Sequence, residues 1–173
     1  DPTNATQWST WTQSTAYVQK LTDEVYLDVW CDPVSGDLFG AWIDGSLGNS
    51  VYWCYSTDDG ATWSSSSQLK DWSTGNYVGG IAGAAYDGTS YVYVAVNPLN
   101  AYDDSYVEMF QGSGTTLPSS VGTTAADRNE IRGIGYARSA SGTITLLTAD
   151  WLPSRLSYLE YVPGTGWGET GTF

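Results

Sequence analysis

Histidine is absent from the 173 residues, methionine occurs once, phenylalanine three times, and lysine and arginine together only six times. Without histidine a His-based zinc site is excluded. Six cations against 19 Asp and Glu give a formal charge of −13, which opposes binding to nucleic acid phosphates, because that requires a basic surface. No apolar run approaches the ~20 residues that a membrane-spanning helix needs, so no membrane span is expected. An acidic, lysine-poor surface serves simple solubility and suits a salt-rich or acidic external milieu equally well. The sequence opens at Asp1 without Met, so it reads as processed or as an excerpt of a longer polypeptide, with any signal peptide already missing.

What is plentiful points to sheets. Nine Trp, 13 Tyr and 20 Gly, with abundant Ser and Thr, fit strands joined by many short turns, and the expected class is all-β. No helical periodicity survives inspection; the best stretch, residues 122–130, is short and reads as a loop. Cys31 and Cys54 leave two readings open. They could form a disulfide suited to an oxidising compartment, or they are two buried thiols acting as small hydrophobes. If they lie two strands apart in one sheet, their Cα atoms are roughly 9 to 10 Å apart, beyond the ~7 Å that a bond tolerates. Asn4-Ala5-Thr6 forms an N-glycosylation sequon, relevant only in a glycosylating secretory route.

The stretch Ser56-Thr57-Asp58-Asp59-Gly60-Ala61-Thr62-Trp63 organises the chain. The run before it, Ser50-Val51-Tyr52-Trp53-Cys54-Tyr55, is β-branched and aromatic and reads as a strand. Asp58 offers a carboxylate to N–H groups across the turn, Gly60 supplies a positive φ, and Trp63 starts the return with a ring able to cover the hairpin. The octet resembles the Asp box, Ser-x-Asp-x-Gly-x-Thr-Trp, of sialidase-like β-propellers (BNR repeats). All five defining residues are present: Ser56, Asp58, Gly60, Thr62 and Trp63. The resemblance implies four-stranded antiparallel blades, with the box as a structural turn on the rim opposite the substrate face.

Matching outward from the turn exposes an internal repeat of about fifty residues. Thr10-Trp11, Thr62-Trp63 and Thr116-Leu117 correspond, as do Ser35-Gly36, Asp87-Gly88 and Ser141-Gly142, and Gly166-Trp167 closes the series. Three blade units follow, at approximately 21–73, 74–120 and 121–173. Strands are expected at 25–31, 37–44, 50–56 and 68–73, then 78–86, 90–96 and 106–110, then 131–137, 143–148 and 156–162. Tyr91-Val92-Tyr93-Val94-Ala95-Val96 shows little in/out alternation, as suits a sheet packed on both faces. Residues 7–12 within the segment 1–20 read as an outer strand with no blade before it, and the third unit reads as one lacking its outer strand. Propellers typically have four to eight blades. Completion by a second copy, in a six-bladed ring, and completion by the remainder of a longer chain are both open.

On that meander the rim opposite the box carries the loops 44–49, 97–105 and 149–155 and the connections 22–24 and 126–132. Sugar binding needs an aromatic face with planar hydrogen-bonding groups beside it, and Trp151, Tyr102, Asn100, Asp103 and Arg155 supply those types. Trp30, Trp42, Trp53 and Trp63 read instead as blade core or box anchors. A sialidase needs three arginines from separate blades, whereas Arg128, Arg132, Arg138 and Arg155 all lie in the last unit. Glycosidases need two facing carboxyls, and with Asp23, Glu24, Asp44, Asp103, Asp104, Asp127, Glu130 and Asp150 on the loops no pair stands out. No catalytic residue is assigned. Asp103-Asp104 could meet a hard cation but reads as a solvated pair, and neither metal nor cofactor is expected.

Tyr158-Leu159-Glu160-Tyr161 followed by Gly164-Thr165-Gly166-Trp167 is similar to the strand-turn-Trp ending of fucose-binding propeller lectins, some of which assemble rings from short chains. The expected function is a non-catalytic extracellular or cell- or virion-surface module for glycan recognition or surface attachment. The alternatives are a structural subunit of a filament, surface layer or spike, and a fragment of a sialidase-like glycoside hydrolase.

Overall fold

The computed structural model describes residues 26–44, 49–72, 75–99, 104–124, 130–139, 143–150, 155–162 and 164–172. Runs of β-branched and aromatic residues set its strands, because such side chains pack well on a pleated, half-buried surface. These are β1 (Leu27–Cys31), β2 (Leu38–Asp44), β3 (Ser50–Ser56), β4 (Ser67–Asp71), β5 (Asn76–Tyr86), β6 (Thr89–Pro98), β7 (Tyr106–Ser113), β8 (Ser119–Thr123), β9 (Ile131–Arg138), β10 (Ile144–Asp150), β11 (Arg155–Val162) and β12 (Gly166–Thr172). They pair as three four-stranded antiparallel meanders, β1 to β4, β5 to β8 and β9 to β12. The all-β class and the blade-like unit are therefore as expected. Among the described residues no helix is long and apolar enough to cross a membrane.

One expectation is corrected. The third unit does not stop short of its outer strand, because β12 pairs with β11 from Ser157↔Thr172 to Val162↔Gly166. Gly164 and Gly166 turn the chain back with positive φ, so the run Gly-Trp-Gly-Glu-Thr-Gly-Thr becomes an edge strand on its neighbour's ladder. The strand expected at 7–12 lies outside the described residues.

The sheets stack through their first strands: β5 packs against β1 and β2 on one side and β9 on the other. Its sheet is thus covered on both faces, and β6 is buried from Ser90 to Asn97. Consecutive residues there serve opposite cores. Val92, Val94 and Val96 join Trp30, Phe39, Trp53 and Phe110, while Tyr91, Tyr93 and Ala95 join Met109, Ile144, Leu146 and Leu159. Each large apolar side chain so buried contributes about 1.5–3 kcal/mol, and this two-sided burial is why the sequence of β6 shows no polar alternation.

Polar fastenings fix the stacking. The Gly83 N–H donates to Asp28 Oδ2 (2.7 Å) and the Gly88 N–H to Asp32 Oδ2 (2.6 Å), joining the first sheet to the second. Asn97 joins the second to the third by donating to the Ile131 carbonyl (2.8 Å) and accepting the Ile131 N–H (2.9 Å). Glu108 on β7 accepts from Lys70 Nζ (2.8 Å) and Trp72 Nε1 (2.9 Å). Among the described residues no strand closes the stack at either end. Leu27 and Val29 are 54% and 52% exposed on the face of the first sheet turned away from the second, and Leu147 and Leu156 are 42% and 53% exposed on the corresponding face of the third.

Trp30, Trp42 and Trp53 are buried, as expected of blade core. The cysteines are both free, and the reading of two buried thiols is half right: Cys54 is buried but Cys31 is exposed. Cys31 closes β1 opposite Leu38, whereas Cys54 stands opposite Gly40, so the two are offset in register as well as separated by a strand.

Candidate functional site

The Ser56–Trp63 turn closes in the way its residue types require. Asp58 accepts the Thr62 N–H at 2.8 Å and the Thr62 hydroxyl at 2.6 Å, while the Ser56 hydroxyl donates to it at 2.8 Å and accepts the Gly60 N–H at 2.9 Å. Thr62's hydroxyl first, then its N–H and the Ser56 hydroxyl, hold the Asp58 carboxyl below its ordinary value. Gly60 sits at φ +83°, where a Cβ is strained. Trp63 folds back so that its ring lies over Gly40 of β2, beside Cys54 and Val29. The side chains of Ser56, Asp58 and Thr62 are all used in holding it shut, so the turn is architecture.

Of the five residues expected to hold a ligand on the opposite rim, Trp151, Tyr102, Asn100 and Asp103 lie outside the described residues. Arg155 is described, and its Nε donates to Asp150 Oδ2 at 2.9 Å. The same oxygen accepts the Ser157 hydroxyl at 2.9 Å. Arg155 thus closes the β10–β11 hairpin, in which it stands directly opposite Asp150. Among the described residues no group of three or more Cys, Asp and Glu is placed to hold a metal ion.

A cleft of about 320 Å³ opens instead at the rim that carries the Asp58 turn. Its lining includes Cys31, Tyr86 and Arg138, which are the last residues of β1, β5 and β9, so all three sheets contribute through their first strands. Pro33, Ala85, Tyr136 and Ser139 complete it. Arg138 lays its guanidinium over the Tyr86 ring, with Cζ 3.3 Å from the centroid. Tyr136, two residues earlier and therefore on the same side of β9, is 38% exposed. Its hydroxyl pKa is raised, by burial and then by the Asp28 carboxylate, with Arg138 acting in the opposite direction.

Asp32 sets the shape beneath. Burial pushes its carboxyl up, but N–H groups of Val34, Gly88, Ser35 and Asp87 outweigh this and hold it below the ordinary value. It is fully buried and spans the first turns of two sheets, which keeps the ends of β1 and β5 together.

The cleft residues were not singled out from the sequence as a set, since they are scattered over all three repeats. Cys31, Tyr86 and Arg138 each close the first strand of a sheet, but turns of different length follow them, so in the register of Ser35, Asp87 and Ser141 they do not align and the sequence carries no signal for the set. The cleft presents two phenol rings, one guanidinium and one thiol.

No protein-family model and no curated protein matches the sequence. Among solved structures the chain is similar to the intramolecular trans-sialidase from Ruminococcus gnavus, at 16% identity over 75% of this chain and 28% of that one, with a TM-score of 0.45. It is also similar to a protein of unknown function from Dyadobacter fermentans (13%, 88% and 39%, TM-score 0.47). A third likeness is to the polysaccharide lyase Uly1 (15%, 86% and 40%, TM-score 0.48). The chain spans well under half the length of each of these proteins. At these values the likeness carries no argument about activity or ligand.

Proposed function

We propose that this chain is a non-catalytic carbohydrate-recognition module that works outside the cell or on a cell or virion surface. The observation that carries the reading is the cleft at the ends of β1, β5 and β9, where Tyr86, Tyr136 and Arg138 meet. A pyranose presents a C–H face to an aromatic ring and hydroxyls to planar donors, and this cleft offers both on a rigid base of strand ends. The resemblance of the Asp58 turn to sialidase-like blades bears on the carbohydrate reading alone, since it implies a ligand face on the opposite rim, whereas this cleft opens on the rim of the turn itself. The test is saturable binding of soluble oligosaccharides, followed by the quenching of tryptophan fluorescence or by calorimetry, together with an assay for glycoside turnover. Binding that is lost in Tyr136→Ala, without turnover, is the expected result; turnover, or no binding to any glycan, would sink it.

A second reading has its own observation. Leu27 and Val29 at one end of the stack, and Leu147 and Leu156 at the other, leave an apolar sheet face exposed. We infer that further sheets cover these faces, from a second copy or from the remainder of a longer chain, and a subunit of an extracellular assembly would use them in the same way. Native mass as a function of concentration tests this. Association that Val29→Asp and Leu147→Asp abolish is expected, and a monomer at all concentrations would argue that the faces are solvent surfaces.

A further inference from the structure

Four cationic side chains fall among the described residues, and three of them are spoken for. Lys70 is paired with Glu108, Arg132 with Glu130 and Arg155 with Asp150. Arg138 differs: its guanidinium is stacked on Tyr86, and no carboxylate among the described residues lies at ion-pair distance from it. The chain carries 19 acidic residues and a net charge of −13, yet the acids among the described residues leave this guanidinium to its ring. Stacking occupies the face of a guanidinium and leaves the edge, with its planar N–H donors, available to an acceptor. It also fixes the direction of those donors in advance, so less side-chain freedom is lost when a ligand arrives.

The rest of the cleft says where the anion goes. On the Cys31 side, the carboxylates of Asp32, Asp37 and Asp59 are close enough to act, after burial, in raising the thiol's pKa. Asp28 and Asp32 point their oxygens at the N–H groups of Gly83, Gly88 and Val34. Acids therefore gather about Cys31, with Asp28 reaching Tyr136, and Arg138 is the one cation among the cleft's lining residues. A ligand with a negative group at one end and hydroxyls at the other fits that polarity.

We propose that the cleft takes a saccharide bearing an anionic substituent, a carboxylate or a sulfate, with Arg138 gripping the anion and Tyr136 lying against the ring. This rests on the carbohydrate reading above and names the class of ligand. It places the recognition site on the rim of the Asp58 turn, at the meeting point of all three sheets.

The experiment is calorimetric titration of the full 173-residue chain with a glucuronate-terminated disaccharide, a sulfate-terminated one and their neutral parent, and separately with acetate and inorganic sulfate. It is repeated on Arg138→Gln, Arg138→Lys and Tyr136→Ala, each checked for an unchanged unfolding midpoint. Acidic disaccharides should bind at least about tenfold more tightly than the neutral parent, and Arg138→Gln should remove that margin because charge-assisted bonds to the anion are lost. Arg138→Lys should retain part of it. The difference between the carboxylate and sulfate arms names the anion. Equal affinity for neutral and acidic sugars, or binding indifferent to Arg138→Gln, would overturn the anionic assignment while leaving the carbohydrate reading intact. Binding of acetate or sulfate through Arg138 with no saccharide binding would do the reverse, and silence from every probe would overturn both.

Discussion

The Trp30 indole rests on the backbone of Gly83, so close that a Cβ at position 83 would lie 2.0 Å from the ring. This contact seats the first sheet on the second, next to the bond from the Gly83 N–H to Asp28. Because Trp30 is buried, with 6% exposure, it has no room to retreat. Gly83→Ala should therefore cost at least about 2 kcal/mol through overpacking. Gly75→Ala, where a Cβ would meet nothing within 4 Å, should stay within about 0.5 kcal/mol of the parent. Urea unfolding of the two variants checks the contrast.

The Asp58 turn should make stability depend on acid. Its carboxyl is held below the ordinary 3.8 by Thr62 and Ser56, so its contribution is complete above the unfolded-chain value and is lost as pH falls through the lower folded one. The melting temperature of Asp58→Ala should lie below that of the parent at pH 7. The gap should stay constant down to about pH 5 and close as the acid range below 3.8 is entered. A gap that did not change with pH would mean that the charge of Asp58 plays no part.

At the Lys70–Glu108 pair, the residue left behind decides the cost. Glu108's side chain is 3% exposed and Lys70's is 38% exposed. Glu108→Gln still offers an oxygen to Trp72 and frees a lysine that can reach water, so it should cost about 1 kcal/mol. Lys70→Met strands a buried carboxylate with the Trp72 N–H, and should cost about 2–3 kcal/mol. Chemical denaturation that ranks the two the other way would contradict this account.

Thiol labelling distinguishes the cysteines. Burial, then the carboxylates of Asp32, Asp37 and Asp59, raise the Cys31 thiol above the ordinary 9.0, and burial pushes Cys54 up to about 11. Native protein treated with iodoacetamide should gain one adduct, at Cys31, at a rate still climbing above pH 9 because the thiolate is the nucleophile. In urea it should gain two. Two native adducts at equal rates would place Cys54 at the surface.

How much was legible from sequence depended on burial. β2, β3, β6 and β11 are dense in Val, Tyr, Trp and Leu because each is paired on both edges and buried on at least one face, and the sequence shows them plainly. β8 is Ser-Ser-Val-Gly-Thr and largely exposed, and β12 is Gly-Trp-Gly-Glu-Thr-Gly-Thr, with Trp167 its one large apolar residue. Edge strands such as these take their register from a single neighbour, so their own residues carry little trace of it. The Asp58 turn was readable because its contacts are local. The cleft was not, because its polarity arises from Arg138, Tyr86 and the acids near Cys31, which only the stacking of three sheets brings together.

The joint made by Asn97 has a further consequence. Its amide grips both polar groups of Ile131's main chain, which every amino acid except proline shares. Such a joint forms with any residue but proline at 131, so seam and core are set separately there: the main chain of Ile131 carries the seam, while its fully buried side chain belongs to the core of Tyr91, Tyr93 and Ile144. A substitution at 131 can therefore loosen the core without unhooking the third sheet from the second.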